Sequence, residues 1–169
     1  LLQRNIHNFV ILEKSNEVGG TWSENQYPGA ACDVQSHLYS FSFEPNPNWT
    51  RMFAPQPEIK SYLEGFWNKY ALQDKTLLGT EIRSLRWDEN RELWLIEDAS
   101  GQHFTAQFVV SGMGALSTAS IPQLKGVETF KGAMFHSQQW NHDYDLKGKR
   151  VAVIGTGASA IQFVPELQK

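Results

Sequence analysis

A chain of 169 residues has room for one domain, or parts of two, at about 150 residues per domain. With 41% hydrophobic and 20% charged residues, 13 Gly and 7 Pro, it is not collagen-like, disordered or supercharged. A net charge of −3 and a pI near 6.0 give no electrostatic footprint for nucleic acid or an acidic membrane, and one cysteine allows no internal disulfide and no two-cysteine redox pair.

No apolar run approaches the ~20 residues of a membrane helix, and no signal-peptide pattern opens the chain. A soluble, cytoplasmic protein is therefore expected. The first residue is Leu1 rather than Met, and the final helical pattern meets no glycine stop before Lys169. The sequence is accordingly expected to be a segment of a longer protein, truncated at both ends.

In chain order, residues 7–12 predict a short buried strand, because Phe9, Val10, Ile11 and Leu12 form a continuous apolar run ending at Glu13. Residues 23–56 are rich in turn chemistry, with Tyr27-Pro28-Gly29 and Glu44-Pro45-Asn46-Pro47-Asn48. A long irregular stretch of this kind is more often functional than idle. Residues 57–72 predict a helix. Ile59, Tyr62, Leu63, Phe66, Trp67 and Tyr70 share one face of the 3.6-residue period, and Pro57 and Glu58 suit its first turn.

Alternating segments at 77–87, 93–97 and 103–107, separated by polar turns, predict an antiparallel hairpin excursion. The apolar run 108–112 predicts a buried strand entering a glycine turn. Residues 115–148 read as connecting chain. Residues 150–154 predict a further strand and 158–167 a helix with Ile161, Val164 and Leu167 on one side.

The strongest local motif is Gly155-Thr156-Gly157-Ala158-Ser159-Ala160, a G-x-G-x-x-A between an expected strand and an expected helix. Gly155 permits the tight turn, Gly157 lets a pyrophosphate approach the backbone, and Ala160 keeps the helix close. The helix N-terminus supplies N–H donors and positive dipole to phosphates. An ordinary strand-turn-helix with two glycines is the plain alternative. The same rule run backwards makes Glu13, at a strand end, a candidate for the hydroxyls of an adenosine ribose. Its glycine fingerprint would then lie about 20 residues upstream. Taken alone, Glu13 is a surface glutamate. Two nucleotide sites in one protein suggest a flavin together with a nicotinamide cofactor.

Val18-Gly19-Gly20-Thr21-Trp22, Tyr27-Pro28-Gly29, Cys32-Asp33 and Tyr39-Ser40-Phe41-Ser42 resemble the FAD-contacting stretch of Baeyer–Villiger monooxygenases, relatives of the flavin-containing monooxygenases. Residues 130–140 match that family's F-x-G-x-x-x-H-x-x-x-W fingerprint through Phe130, Gly132, His136 and Trp140. The resemblance spans the whole chain. There are two departures. Asn141 stands where the family usually has Pro or Asp, and Ala31 where it usually has Arg, which bears on a nicotinamide-phosphate contact or on the substrate side.

The resemblance implies an α/β parent with two Rossmann-like dinucleotide-binding units. Residues 1–124 would belong to the FAD-binding domain, 125–148 to an interdomain connector and 149–169 to the start of the NADPH-binding domain. It implies insertion of one oxygen atom of dioxygen beside a ketone carbonyl to give an ester or lactone, with FAD and NADPH as cofactors. Glu13 would hold the FAD ribose. Gly20, Thr21, Trp22, Asp33 and Tyr39 would lie along the flavin, and the Ile82 backbone would meet the adenine. Gly155, Thr156, Gly157, Ala158, Ser159 and Ala160, with Gln162, would cradle the NADPH pyrophosphate. His136 and Trp140 would couple domain positions rather than transfer a proton; without the resemblance they are a loop histidine and a packing residue.

Asp33 is the expected catalytic carboxylate, partnering an arginine that would lie beyond Lys169. No metal site is expected. Alternatives are an N- or S-oxygenating flavin-containing monooxygenase and a non-catalytic nucleotide-binding fragment. A disulfide reductase shares the two-nucleotide layout, but Cys32 has no redox partner.

Overall fold

The computed structural model describes residues 1–169 and has a mixed α/β architecture of three α-helices, five short strands and several 3-10 turns. The chain divides into two compact units. One comprises residues 1–18 and 64–115, the other residues 19–63 and 116–169.

In the first unit, strands β1 (Ile11–Leu12) and β2 (Thr76–Leu77) pair in parallel, with Ile11 opposite Thr76 and Leu12 opposite Leu77. The Glu13 N–H donates to the Leu77 carbonyl at 3.0 Å, and Thr80 N–H to the Glu13 carbonyl at 2.8 Å. The strand expected over 7–12 is thus two residues long. Residues 7–10 have no ladder beside them, and an apolar run without a hydrogen-bonding neighbour is not a strand.

Strands β3 (Ile82–Asp88), β4 (Leu93–Asp98) and β5 (His103–Ala106) form an antiparallel sheet in that order, the hairpin excursion expected from the alternating segments. The run 77–87 is split at Gly79, whose φ of 67° turns the chain between β2 and β3. Trp87 and Trp94 face each other across β3 and β4 with ring centroids 5.7 Å apart, an aromatic cross-strand pair that helps fix the register. Asp98 ties the β4–β5 turn. One carboxylate oxygen accepts from the Ser100 hydroxyl at 2.7 Å and from the Ser100 and Gln102 N–H groups, both at 2.8 Å. The Ser100 hydroxyl first, then these backbone donors, hold the carboxyl below its usual value against the opposing effect of desolvation.

In the second unit, a four-residue helix α1 (Thr21–Glu24) follows the Gly19-Gly20 pair. Helix α2 (Gln56–Lys69) crosses the boundary between the units. Its first turn is fixed by the Glu58 carboxylate, which accepts from Thr50 N–H at 2.9 Å and from the Thr50 hydroxyl at 3.1 Å. Helix α2 stops short of the expected Leu72. Ala71 takes the left-handed conformation (φ 49°), and Leu72 N–H turns back to the Trp67 carbonyl at 3.0 Å.

Helix α3 (Ala158–Leu167) has the expected bounds, and of its expected face Val164 and Leu167 meet the core while Ile161 does not. Phe163 is buried, with Ala160, Val164 and Leu167 beside it, whereas Ile161 is 71% exposed. The spacing 160, 163, 164, 167 is the i, i+3, i+4, i+7 stripe that meets its neighbours.

The strands expected at 108–112 and 150–154 are absent. Phe108 is 86%, Val110 92% and Ile154 67% exposed. Both runs have the composition of buried parallel strands, but such strands exist only through flanking ladders, and no other segment of this chain pairs with them.

Candidate functional site

Two buried clusters organise the second unit. The first packs Cys32, Ala54 and Ile59 together with Trp22, Tyr39, Trp49 and Leu63. The chain enters it through Gly20, whose φ of 51° and ψ of −118° aim Thr21 and Trp22 into α1. The Trp22 indole N–H donates to the Tyr39 hydroxyl at 3.0 Å, and the two rings meet edge to face at 5.7 Å. The buried Gln56 side chain donates to the Trp22 carbonyl. Gln56 N–H donates to the Ala30 carbonyl at 2.8 Å and Cys32 N–H to the Ala54 carbonyl at 2.9 Å, so the segment around Ala31 is bound to the start of α2.

Burial raises the Cys32 thiol's pKa, with the neighbouring Asp33 charge adding to it, while N–H groups of Val34 and Asp33 oppose the shift. A buried, proton-retaining thiol is a core residue rather than a nucleophile. The Asp33 side chain is exposed, and its carboxylate makes no hydrogen bond or ion pair. Its carboxylate is therefore available to a cation from outside the chain.

The second cluster joins three stretches of sequence. Phe163 of α3 lies 5.9 Å from the Tyr27 ring and 5.2 Å from Trp140, which in turn meets Phe135 at 5.3 Å; Ala30 and Ala160 complete the contact. His136 opens a 3-10 turn (Ser137–Gln139), its Nδ1 accepting from Gln138 N–H at 3.1 Å. The Gln138 amide donates to the Glu24 carboxylate of α1. Phe130 is exposed, and its ring folds over Gly132, where an added Cβ would stand 2.6 Å from that ring. His136 thus shapes a turn and Trp140 packs into a core.

The glycine turn ahead of α3 is open. Gly155 has φ 114°, and nothing lies within 4 Å of the Cβ position of either Gly155 or Gly157. The first helical bond runs from Ile161 N–H to the Gly157 carbonyl at 3.2 Å, and Gly157 provides no side-chain cap. The N–H groups of Ala158, Ser159 and Ala160 therefore point from the helix end without intrahelical acceptors. Vacant space above the glycines, free donors and the positive helix end fit a dinucleotide pyrophosphate.

Glu13 and Ile82 lie in the first unit. Glu13 Oε1 accepts from Ser15 N–H at 2.8 Å, and Oε2 has no hydrogen bond, leaving an acceptor of the kind a ribose hydroxyl needs. Ile82 is half-buried on β3, an edge strand with one flank of its backbone without a ladder. Gly20, Thr21, Trp22, Asp33, Tyr39, Phe130, Gly132, His136, Trp140, Gln162 and the 155–160 turn all belong to the second unit.

Sequence reasoning missed Phe163 and Gln56. The i, i+3, i+4, i+7 series through 163 was the available signal for the first. For the second, only a polar residue directly before Pro57 hinted at a helix-start role. It also missed that Tyr27, inside a quoted motif, reaches α3.

An open glycine turn before a helix with unbonded N–H groups is the local pattern of a dinucleotide-binding turn, here without the preceding strand, in a mixed α/β chain. The sequence matches the flavin-binding monooxygenase-like family over residues 6–169, and the chain belongs to that family. A Baeyer–Villiger monooxygenase of Pseudomonas aeruginosa is 68% identical over 168 residues, which is 99% of this chain and 32% of the relative. The ε-caprolactone-bound crystal structure of cyclohexanone monooxygenase superposes with a TM-score of 0.85 at 37% identity, covering 92% of this chain and 31% of that one. The OTEMO complex with FAD and NADP gives a TM-score of 0.87 at 33% identity, covering 96% and 33%. The chain therefore spans about a third of the length of the proteins it matches. No helix is long and apolar enough to cross a membrane.

Proposed function

We propose that this chain carries the flavin-facing region and the nicotinamide-dinucleotide turn of a Baeyer–Villiger monooxygenase. In that reaction a ketone, dioxygen, NADPH and a proton give an ester or lactone, NADP+ and water. The observation that carries the reading is the second cluster. There the tryptophan of the F-x-G-x-x-x-H-x-x-x-W fingerprint, the helix of the glycine turn and the loop leading to Asp33 share one buried core. The named relatives support the reading. Cyclohexanone and ε-caprolactone, which appear together in the description of one of them, differ by one oxygen atom beside the carbonyl.

Along the chain, residues 1–124 would serve FAD, 125–148 connect and 149–169 begin the NADPH-binding part. Glu13 receives the ribose hydroxyls, and the Ile82 backbone meets the adenine. Gly20, Thr21, Trp22 and Tyr39 line the flavin, with Trp22 and Tyr39 held rigid by their mutual hydrogen bond. The N–H groups and open glycines of 155–160 take the NADPH pyrophosphate. When bound, FAD reduced by NADPH supplies the activation of dioxygen. The protein's part is to bind, orient, exclude water and place charge. Asp33 supplies that charge by positioning a cationic partner beside the ring. The connector, with His136 and Trp140, keeps the two nucleotide regions in register. The free Cys32 accords with a cytoplasmic location.

The test is to incubate the purified, flavin-loaded full-length protein with NADPH, dioxygen and a set of cyclic ketones, amines and sulfides. Ketone-dependent NADPH oxidation with a matching yield of lactone is expected. Oxygenated amine or sulfide without lactone would contradict the proposal, as would a protein that retains no flavin.

A further inference from the structure

The side-chain amide of Gln162 spends its hydrogen bonds on one loop. Its Oε1 accepts from the Tyr27 hydroxyl at 2.9 Å and from Ala31 N–H at 3.2 Å, and its Nε2 donates to the Ala31 carbonyl at 2.9 Å. A primary amide that both gives to and receives from one residue's backbone does the work of a neighbouring strand. Gly29 lets the loop come this close: with φ 77°, a Cβ there would stand 2.9 Å from the Gln162 carbonyl and 2.9 Å from Glu166 Cγ.

The loop is also held from its other side. Cys32 N–H is bonded to the Ala54 carbonyl at 2.9 Å, and its side chain is buried. The backbone at Ala31 is thus clamped by α3 and that at Cys32 by the segment entering α2. Asp33 leaves this clamp directly and is exposed. Five residues back from Gln162, at the N-terminus of the same helix and about 7.5 Å along its axis at 1.5 Å per residue, lie Gly157 and the free N–H groups.

We propose that Gln162 is a positioning residue. Its amide ties the Ala31 backbone and the Tyr27 hydroxyl to α3, so that seating of the dinucleotide phosphates on the 155–160 turn fixes where Asp33 stands. The side chain braces the loop and does not hold the pyrophosphate. This rests on the functional reading above for the role of Asp33, while the brace itself is a matter of hydrogen bonds.

Gln162→Leu keeps the bulk and removes all three bonds. Tyr27→Phe removes one of the three bonds and leaves the 155–160 turn and the Gln162 side chain unchanged. Both are to be made in the full-length, flavin-loaded protein. Hydrogen exchange of the peptide bearing residues 27–33 should quicken about tenfold in Gln162→Leu and less in Tyr27→Phe. NADP+ affinity, measured by titration, should stay within about threefold of wild type. Product formed per NADPH oxidised should fall several-fold, with hydrogen peroxide rising, and adding Tyr27→Phe to Gln162→Leu should cost nothing more, because both act through one contact.

A fall in NADP+ affinity of about tenfold or more, with loop exchange and product yield unchanged, would overturn the proposal and make Gln162 a phosphate ligand. If Gln162→Leu does not fold, Tyr27→Phe decides: unchanged exchange in residues 27–33 contradicts the brace. If wild type forms no lactone, the functional reading fails, while the exchange and affinity measurements still judge the brace.

Discussion

The end of helix α3 and its flank are built in opposite ways. At the N-terminus, Gly155 and Gly157 face empty space and three N–H groups have no intrahelical acceptor. One turn further on, Phe163 is buried between Tyr27 and Trp140, and every bond of the Gln162 amide is taken up by the loop. The helix therefore offers a polar end to a ligand and a packed side to the protein. The contrast teaches that a rigid element can carry information without moving far: what seats the end also seats the loop, because no slack lies between them.

Substitutions on the packed side should cost stability, and substitutions at the open end should cost ligand. The largest effect is expected for Phe163→Ala, about 3 kcal/mol, or roughly a hundredfold in the folding equilibrium. Urea denaturation checks it, and a loss under about 1 kcal/mol would mean the junction is loosely packed. Next comes Gly157→Leu. The backbone there is extended (φ −75°, ψ −179°), a conformation open to any residue, so the helix should form. The side chain would occupy the phosphate space, and NADP+ affinity should fall about tenfold or more, with flavin retained. Unchanged affinity would remove the turn from the nicotinamide site.

The smallest effect lies away from α3, at the Asp98 turn. The folded carboxyl ionises below its usual value, so its stabilisation is complete above the unfolded group's pKa and is lost as pH falls through the folded one. Asp98→Asn should therefore show a shallower loss of melting temperature on acidification than wild type. Equal slopes would show that the turn's hydrogen bonds do not depend on the charge.

The contrast between open end and packed side was only partly legible in the sequence. Gly155-Thr156-Gly157 and the bounds of α3 could be seen because glycine spacing and helical period are local properties. The antiparallel excursion was legible for the same reason, since β3, β4 and β5 are joined by short turns. On the buried face of α3, Val164 and Leu167 were legible and Phe163 was not: Ile161 and Phe163 are both apolar, and only the Tyr27 and Trp140 rings select between them. The runs 108–112 and 150–154 misled more deeply. Val-rich composition signals a strand that would be buried if flanked, but the flanking is a non-local fact that no window of sequence contains. The Gln162–Ala31 clamp spans 131 positions, and nothing in the composition of either segment announces it.

The central claim is that the loop ending at Asp33 places a charge that directs oxygen into the ketone. The most direct measurement is the partition of product in Asp33→Ala, made in the full-length protein with its flavin bound. Flavin content should be unchanged, because its binding is spread over many contacts. Ester or lactone formation should fall about a hundredfold, the ~3 kcal/mol typical of losing one preorganised electrostatic interaction. NADPH oxidation should continue, its reducing equivalents appearing as hydrogen peroxide. If the variant instead yields as much ester per NADPH as wild type, Asp33 is a loop residue and the account of the site is wrong.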